Sequence, residues 1–401
     1  MPRFQTLSAP LLRTLSEATG LDGSEVPPSL CRGVVALSRR FTRGSHARVT
    51  DYLADDGLRL AYLAYYLPVS LAKVQALLAE MPAHPDASGS PLRPFSVLDL
   101  GCGPGTATLG ALDWILRNPS LARLAVEVVA VDRSASGLRE CERLWKIYTR
   151  AAPVSESRLL PVRADLERLG QGGHPKIGTH APYDLIVAAN TLTELFLTSR
   201  DPIRRRAKLV RALLDLLHRD GTLMIVEPAL RAVSRNLHRL RDILLEEKAC
   251  TVYSPCLHEQ SCPALVEKED WCHEERPWTP PPLVAAIDRQ VGFIKDALKF
   301  SYLLLRKDGR TIVPRASTVY RVVSELREMK GEKRAWLCNE TGRPEVGRLE
   351  RERSEANAAF DDWHRGAIVR IDQIVRKDRK GRESTVGRIP EDATVEIVRP
   401  V

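Results

Sequence analysis

Two hydrophobic patterns divide the first part of the chain. Over 49–81, apolar residues recur at three- and four-residue spacing, which predicts amphipathic helices. From residue 95 onward, short continuous apolar runs alternate with amphipathic segments. Continuous apolar strands alternating with helices are typical of a parallel sheet covered on both faces. The pattern therefore predicts a helical N-terminal unit followed by an α/β unit, with a linker rich in Pro, Ser and Gly at 82–94.

The strands of this sheet are predicted at five apolar runs: 95–101, 126–133, 159–166, 183–190 and 221–228. A helix is predicted over 204–221, and Gly221 is expected to end it because glycine is common just past helix C-termini. A further strand is predicted at 300–306, after a helix at 236–249.

The last part of the chain has the pattern of short strands. The segment AWLCNETGRPEVGRLE at 335–350 is predicted to form a hairpin that turns at Asn339 to Gly342, with later strands at 366–375 and 393–400. We therefore expect four regions: a helical unit at 1–85, an α/β core at 86–250, a cysteine-rich segment with further core strands at 251–330, and a small β-rich domain at 331–401.

Composition narrows the class of protein. The chain has 401 residues, 44% of them hydrophobic, which is enough for two or three globular units. Its longest uncharged apolar run, at 60–72, is much shorter than the roughly 20 residues of a membrane span, so no membrane partner is expected. The N-terminus lacks the features of a secretory signal, and its two arginines before Glu17 suggest an ordinary first helix more than a mitochondrial presequence. We expect a cytoplasmic location, with the mitochondrial matrix as the alternative.

Charge favours a polyanionic partner such as RNA. The chain carries 60 Lys and Arg against 51 Asp and Glu, a formal net charge of +9. Candidate phosphate contacts are the run at 204–208, the basic run at 376–382, and a set of spaced arginines, Arg231, Arg235, Arg239 and Arg241. No DNA partner is expected.

A glycine-rich turn follows the first predicted strand. In VLDLGCGPGTATLGALDWIL (97–116), Gly101, Gly103 and Gly105 allow close approach of a ligand to the backbone. Asp132, at the end of the second strand, is placed to bind ribose hydroxyls. The third glycine of the NAD fingerprint G-x-G-x-x-G is missing, so NAD binding is disfavoured.

Cysteines crowd the second half of the chain. Cys256, Cys262 and Cys272 follow C-x5-C-x9-C, and Cys338 lies 66 residues beyond. Because an export signal is not apparent, close cysteines favour metal binding over disulfides. The spacing alone leaves zinc, an iron-sulfur cluster and no metal all open, since paired C-x2-4-C zinc motifs are absent.

Specific segments add a family resemblance. The form DLGCGPGT resembles motif one of class I S-adenosylmethionine-dependent methyltransferases. Together with SPCLHEQSCPAL, DWCHEERPW, KFSYLLLRK and AWLCNETG, it makes the chain similar, over about 35–350, to the methyltransferase-like small-ribosomal-subunit assembly family, whose members occur in mitochondria and bacteria. The resemblance implies a class I methyltransferase (Rossmann-like) sheet with a helical N-terminal unit, a cysteine-rich metal-binding insertion and a small β-rich C-terminal domain.

The resemblance also implies cofactors, ligands and a partner. S-adenosylmethionine would be bound by Asp99, Gly101, Gly103, Gly105, Asp132, Asp165 and Asn190. A 4Fe-4S cluster, with zinc as the alternative, would be held by Cys256, Cys262, Cys272 and Cys338. The expected partner is the small ribosomal subunit or its rRNA. One departure, EPALRAV where the family often has EPGTP, puts contacts from the loop after strand five in doubt.

The catalytic group stays unassigned. The N/D-P-P-Y/F element of amino-methylating enzymes is absent after strand four, and no cysteine lies between Cys141 and Cys250 to serve as a nucleophile. Glu194 and Glu227 are the nearest carboxylates at strand ends. The expected function is an rRNA methyltransferase, and the alternative is a non-catalytic assembly factor that docks on pre-ribosomal RNA.

Overall fold

The computed structural model describes residues 6–23, 25–42, 51–82, 93–122, 124–152, 156–169, 175–376, 378–379 and 382–400. Most of the predicted linker at 82–94 and part of the basic run at 376–382 lie outside these ranges. Among the described residues, no helix is both long and apolar enough to cross a membrane.

The N-terminal region is helical, as predicted. Its elements are α1 (Ala9–Thr19), α2 (Pro28–Thr42), a 3-10 turn (Tyr52–Ala54), α3 (Asp56–Ala61), a π-helical turn (Tyr62–Tyr66) and α4 (Leu67–Leu78). Helix α1 begins where the Ser8 hydroxyl accepts a hydrogen bond from the Leu11 amide at 3.3 Å, and it ends at Gly20 with φ 68°.

The helices pack around a buried carboxylate. Asp113, fully buried, accepts hydrogen bonds from Gln75, from the Tyr148 hydroxyl at 2.9 Å and from Arg117 at 2.8 Å. The Ser8 hydroxyl also donates to it. Because a buried carboxylate is costly without partners, Asp113 fixes these segments against one another.

The main sheet has eight strands: β1 (Phe95–Leu100), β2 (Val126–Asp132), β3 (Ser157–Arg163), β4 (Tyr183–Ala189), β5 (Leu217–Pro228), β6 (Thr251–Ser254), β7 (Glu274–Pro277) and β8 (Ala297–Arg306). Their order is β3-β2-β1-β4-β5-β8-β6, with β7 also paired to β8. The first five strands are parallel, whereas β8 runs antiparallel to β5, β6 and β7. The predicted parallel sheet is therefore present, with one reversed strand inserted beside β5.

Helices cover both faces of this sheet. They are α5 (Thr106–Arg117), α6 (Ala135–Ala151), α7 (Leu166–Leu169), α8 (Pro175–Gly178), α9 (Pro202–Asp215), α10 (Arg231–Glu246) and α11 (Pro282–Val291). Successive residues of β1 enter opposite cores, because Val97 packs with the N-terminal helices and Leu98 packs with α9 and α10. Two-sided burial explains why the strands are continuously apolar.

The predicted end of the helix at Gly221 is wrong. Helix α9 ends at Asp215, and β5 already begins at Leu217. The pairing of β5 with β4 shifts register between Tyr183 and Leu185, and a Cβ on Gly221 would lie 2.7 Å from the Tyr183 carbonyl oxygen. The glycine therefore permits a close approach of two strands at an irregularity instead of ending a helix.

A second sheet follows: β9 (Val319–Val322), β10 (Arg327–Met329), β11 (Glu332–Cys338), β12 (Glu345–Leu349), β13 (Ile368–Ile371), β16 (Val386–Arg388) and β17 (Val395–Arg399), with a separate pair β14 (Asp378–Arg379) and β15 (Arg382–Glu383). The β11–β12 hairpin turns at Asn339 to Gly342, as predicted. Its core includes Phe360 and Trp363. The predicted boundaries of the four regions stay predictions.

Candidate functional site

Four loops of the proposed cofactor site lie at one edge of the main sheet. The glycine loop follows β1, Asp132 ends β2, Asp165 lies two residues after β3, and Asn190 follows β4. Because β1 to β4 are parallel neighbours, their carboxyl ends meet at the same edge, where α/β proteins bind ligands. The structure thus brings these sequence-predicted residues to a common edge.

The glycine loop adopts backbone conformations that other residues avoid. Gly101, Gly103 and Gly105 have φ of 67°, 50° and 91°. A Cβ on Gly101 would collide with Thr191, and one on Gly105 would lie 2.8 Å from the Cys141 sulfur. By contrast, nothing lies within 4 Å of a Cβ built on Gly103. The loop is therefore closed on its protein side and open at Gly103, as a ligand cradle requires.

Asp132 is held beside this opening. Its Oδ2 accepts a hydrogen bond from the Gly103 amide at 2.8 Å, and its Oδ1 accepts one from the Ser134 amide at 2.7 Å. Burial raises the pKa of the Asp132 carboxyl. Each carboxyl oxygen keeps a lone pair, so the side chain can still accept from ribose hydroxyls.

Asp99 faces the start of α5. It is buried, and its Oδ2 accepts from both the amide and the hydroxyl of Thr108 at 2.8 Å. Burial raises the pKa of the Asp99 carboxyl to about 6. These contacts position the first turn of the helix behind the glycine loop, and a direct contact of Asp99 with the cofactor stays a prediction.

Asp165 and Asn190 differ in how they are held. Asp165 is half-exposed, and its Oδ1 accepts from the Glu167 amide at 3.0 Å. Asn190 has φ 55°, and its amide donates to the Val226 carbonyl at 2.7 Å. Such a backbone conformation is uncommon for a residue other than glycine and is found at binding sites. Both assignments as cofactor contacts stay predictions.

Sequence reasoning missed the tyrosines above this edge. The Tyr62 phenol lies beside the Thr106 side chain. Burial raises the pKa of both Tyr62 and Tyr52, and the nearby carboxylates of Glu194 and Asp132 add to the rise. Asp51, just before Tyr52, accepts a hydrogen bond from the Ser134 hydroxyl at 2.8 Å. The N-terminal region therefore closes over the glycine loop, which the helical spacing of the tyrosines alone does not reveal.

Glu227 braces the loop after β4. It is 2% exposed, and its Oε1 accepts from the Thr193 amide at 3.2 Å. Burial raises the pKa of Glu227 to about 8, so the side chain is largely protonated at neutral pH. Glu194 lies in the same loop, and burial also raises its pKa. These contacts support a bracing role for Glu227 and leave the catalytic group unassigned.

The four predicted cysteine ligands come together from three segments. Cys256 and Cys262 follow β6, Cys272 precedes β7, and Cys338 ends β11. The pKa of Cys272 is raised well above its usual value by burial and by the thiols of Cys262, Cys338 and Cys256. The thiols of Cys262, Cys338 and Cys256 therefore lie close enough to Cys272 to raise its pKa. Within the described ranges, no group of three or more His, Cys, Asp or Glu side chains is arranged to hold a single metal ion.

Nitrogen donors surround these thiols. His258 Nε2 lies 3.6 Å from the Cys338 sulfur, and His238 Nε2 lies 3.0 Å from the Cys272 carbonyl oxygen. Burial lowers the pKa of both histidines to about 4, so their rings are neutral at pH 7. Several buried nitrogens in this region have no hydrogen-bond partner among the described residues: His238 Nδ1, Arg241 Nε, His258 Nδ1, Trp271 Nε1 and Arg343 Nε.

Helix α10 holds the cysteine segment through its arginines. Arg241 is fully buried and donates to the carbonyl oxygens of Gln260 at 2.7 Å and His258 at 2.6 Å. Arg235 donates to four carbonyls between 264 and 270. Asp242 accepts from the Cys262 amide at 3.0 Å.

The predicted phosphate contacts at Arg241 and Arg235 are therefore wrong. Both guanidinium groups are committed to backbone carbonyls of the cysteine segment. Arg206, in the run at 204–208, is also buried and donates to the Leu195 and Thr193 carbonyls. Helical spacing alone could not separate these arginines from exposed ones, because the segment that covers them has no regular pattern.

A buried ionic network joins the N-terminal helices, the main sheet and the second sheet. Arg276 pairs with Glu80 and Glu274, and Arg321 on β9 donates to Glu274 at 3.2 Å. The Tyr302 hydroxyl lies 3.0 Å from both Glu80 and Arg321. Despite burial, Arg276 and Arg321 hold the pKa of Glu80 down at about 2. The network therefore links β7, a strand of the main sheet that begins two residues after Cys272, to the N-terminal helical region and to β9 of the second sheet.

The strand order, with antiparallel β8 beside β5, and the ligand edge define an α/β protein with a mostly parallel sheet and a candidate ligand site at the carboxyl ends of its parallel strands. The family described as mitochondrial small ribosomal subunit Rsm22 matches residues 58–348. The match covers more than half of the 401 residues, so the chain belongs to the Rsm22 family. No curated protein sequence matches the chain.

Solved methyltransferases are similar to the chain at low identity. The CcbJ methyltransferase from Streptomyces caelestis is 23% identical over 40% of this chain and 52% of its own, with a TM-score of 0.26. The mitomycin 7-O-methyltransferase MmcR is 14% identical over 75% of this chain and 73% of its own, with a TM-score of 0.35. An O-methyltransferase family protein from Burkholderia thailandensis is 13% identical over 76% of this chain and 74% of its own, with a TM-score of 0.34. The chain thus spans about half of the first protein. Similarities of this degree do not indicate a shared function.

Proposed function

We propose that this protein binds S-adenosylmethionine and a 4Fe-4S cluster and acts on the small ribosomal subunit or its rRNA, as an rRNA methyltransferase. The observation that carries the proposal is the ligand edge: an open glycine loop, Asp132, Asp165 and Asn190 lie at the ends of four adjacent parallel strands. Membership of the Rsm22 family supports a ribosomal partner.

The bound cofactor would supply an electrophilic methyl group on its sulfonium. Asp132 would hold the ribose, and the glycine loop would receive the methionine part. Asp165 would contact adenine, and Asn190 would lie near the methyl group. The protein would then accelerate attack by an rRNA atom mainly through proximity and orientation.

The cysteine site supports an iron-sulfur cluster by its chemistry. Four thiols share one neighbourhood, and deprotonated thiolates there need compensating charge. Arg241 would contribute to it: burial lowers the pKa of its guanidinium, but the Cys256 thiol, the Asp242 carboxylate that pairs with it at 2.5 Å and the Cys262 thiol together raise that pKa. The unpartnered nitrogens around the thiols would find acceptors in the sulfur atoms of a cluster. Cys256, Cys262, Cys272 and Cys338 would be the ligands, and zinc is the alternative to be tested.

Binding to RNA is supported by the outer face of α9. Arg204, Arg205 and Lys208 are exposed there, and Arg205 lies over the Phe196 ring at 6.0 Å, in the loop that leads from the ligand edge. Phosphate contacts release counterions, so affinity for small-subunit rRNA should fall with salt. Replacing Arg204, Arg205 and Lys208 together by glutamine should reduce the slope of log affinity against log salt by about two to three. An unchanged slope would place the contact elsewhere.

Transfer of labelled methyl groups tests the enzymatic proposal. Full-length protein, purified without oxygen, is incubated with labelled S-adenosylmethionine and small-subunit rRNA, with Asp132→Asn as the control. Label in the rRNA supports the methyltransferase. Cofactor and rRNA binding without transfer would support the alternative, a non-catalytic assembly factor. The contact of Glu227 with the Thr193 amide favours this alternative, because it gives the nearest buried carboxylate a structural role.

The family description favours the mitochondrial matrix over the bacterial cytoplasm as the place of action. Cell fractionation with a tagged chain would decide between them. Co-sedimentation with small-subunit particles in the same fractions would test the proposed partner.

A further inference from the structure

Tyr62 is held in a fixed orientation at the ligand edge. Its ring lies 5.6 Å from the Tyr52 ring and 6.0 Å from the Tyr66 ring, and Phe41 packs edge-on at 6.5 Å. The residue begins the π-helical turn, an irregularity that often occurs at functional sites. With the ring packed among aromatic neighbours, the phenol hydroxyl is the part that reaches the ligand edge.

The hydroxyl lies at the N-terminus of α5. It lies beside the side chain of Thr106, the first residue of this helix of 12 residues, which directly follows the glycine loop. The first amide groups of a helix lack partners within the helix and favour an anion. The open side of Gly103 is in the same loop.

The phenol is a hydrogen-bond donor at neutral pH. Burial raises the pKa of Tyr62 to about 12, and the carboxylates of Glu194, Asp132 and Asp99 contribute to the rise. The anionic group of S-adenosylmethionine nearest a glycine loop that receives the methionine part is the methionine carboxylate. A phenol and a helix N-terminus are suitable donors for a carboxylate.

We propose that the Tyr62 hydroxyl, together with the N-terminus of α5, binds the methionine carboxylate of the methyl donor. This inference rests on the proposed cofactor site and adds to it a residue from outside the sheet. The N-terminal region would then do more than cover the sheet, since it would contribute a direct contact to the ligand.

Removing the hydroxyl and removing the carboxylate should have effects that do not add. Binding to the full-length protein is measured by calorimetry with S-adenosylmethionine, S-adenosylhomocysteine and 5′-methylthioadenosine, which lacks the amino-acid part. Tyr62→Phe should weaken the first two by about tenfold, as expected for a hydrogen bond to a charged group. It should change the third by less than about twofold, because that ligand has no carboxylate to lose.

Tyr66→Phe is the matched control. It lies in the same π-helical turn and the same aromatic cluster, but its hydroxyl donates to the Val34 carbonyl at 2.8 Å. It should leave the affinity for all three ligands unchanged. Equal weakening of all three ligands by Tyr62→Phe, or no weakening of any, would overturn the inference alone. If the wild-type protein bound none of them, the proposed cofactor site and this inference would both be wrong.

Discussion

The ligand edge and the cysteine site are built in opposite ways. At the edge, the backbone conformation of the glycine loop shapes the site. The loop and Asp132 belong to short contiguous motifs at strand ends. At the cysteine site, side chains from α10, the segment after β6 and β11 are brought together over more than 100 residues of sequence. A motif of the first kind can form once its own strand and helix pair, whereas the second requires both sheets to be assembled. The two regions should therefore respond differently to substitution.

The largest expected effect is the loss of a cysteine ligand. Cys338→Ser should remove the proposed cluster and sharply lower stability, because structural metal binding contributes on the order of 10 kcal/mol of folding free energy. Iron and sulfide content and thermal unfolding of anaerobically purified protein measure both effects. The control is Cys250→Ser, which alters a partly buried thiol packed against the core near α10. Equal iron loss in both variants, or stoichiometric zinc in the wild type, would contradict the assigned ligand set.

The second effect is smaller and concerns the network between the sheets. Arg321→Met leaves Glu274 and Glu80 with fewer partners in a buried site and should cost about 3–5 kcal/mol in the free energy of unfolding. The matched control is Arg370→Met on the adjacent strand β13, because the Arg370 pair with Glu396 is about half exposed. It should cost less than about 1 kcal/mol. Urea unfolding measures both variants, and similar costs would show that the network does not join the sheets.

The same network predicts the direction of acid sensitivity. The pKa of Glu80 is about 2 when folded, below the value of about 4.3 expected when unfolded. The unfolded state therefore takes up the proton first as the pH falls, and the stability contributed by Glu80 is present above about pH 4 and lost toward pH 2. Glu80→Gln should reduce the pH dependence of unfolding in this window. An unchanged dependence would assign the acid sensitivity to other carboxyl groups.

The contrast between the two regions also explains what the sequence could predict. The strands, the glycine loop and Asp132 were predictable because each is encoded within a few residues by hydrophobic runs and conformational demands. The roles of Arg241 and His238 were not predictable, since both lie on α10, and the amphipathic pattern of this helix predicts that its polar residues face solvent. The irregular segment after β6 contacts both of them, and it has no periodicity. The cysteine set was predicted from the family resemblance, because spacing alone left the metal open.

Two glycines of one loop should separate folding from binding. Gly105→Ala places a Cβ 2.8 Å from the Cys141 sulfur at φ 91° and should cost about 1–3 kcal/mol of stability. Gly103→Ala meets no protein atom within 4 Å, so its cost should be limited to the left-handed backbone, about 1 kcal/mol. Its methyl group would project into the proposed cofactor space and should lower the affinity for S-adenosylmethionine more than tenfold. Unfolding experiments measure the stability of both variants, and calorimetry measures their affinity for S-adenosylmethionine. Normal cofactor binding by Gly103→Ala would show that the ligand does not bind at this loop.

The smallest expected effects compare two strand ends within the ligand edge. Asp132→Asn replaces one of two oxygens that accept backbone amides, so either the Gly103 or the Ser134 contact is lost along with a ribose acceptor. Its affinity for S-adenosylmethionine should fall by about tenfold. Asp165→Asn, on a half-exposed side chain, should lower affinity by only about threefold, because water can replace the contact. The reverse order would mean that adenine at the end of β3, and not ribose at the end of β2, anchors the cofactor.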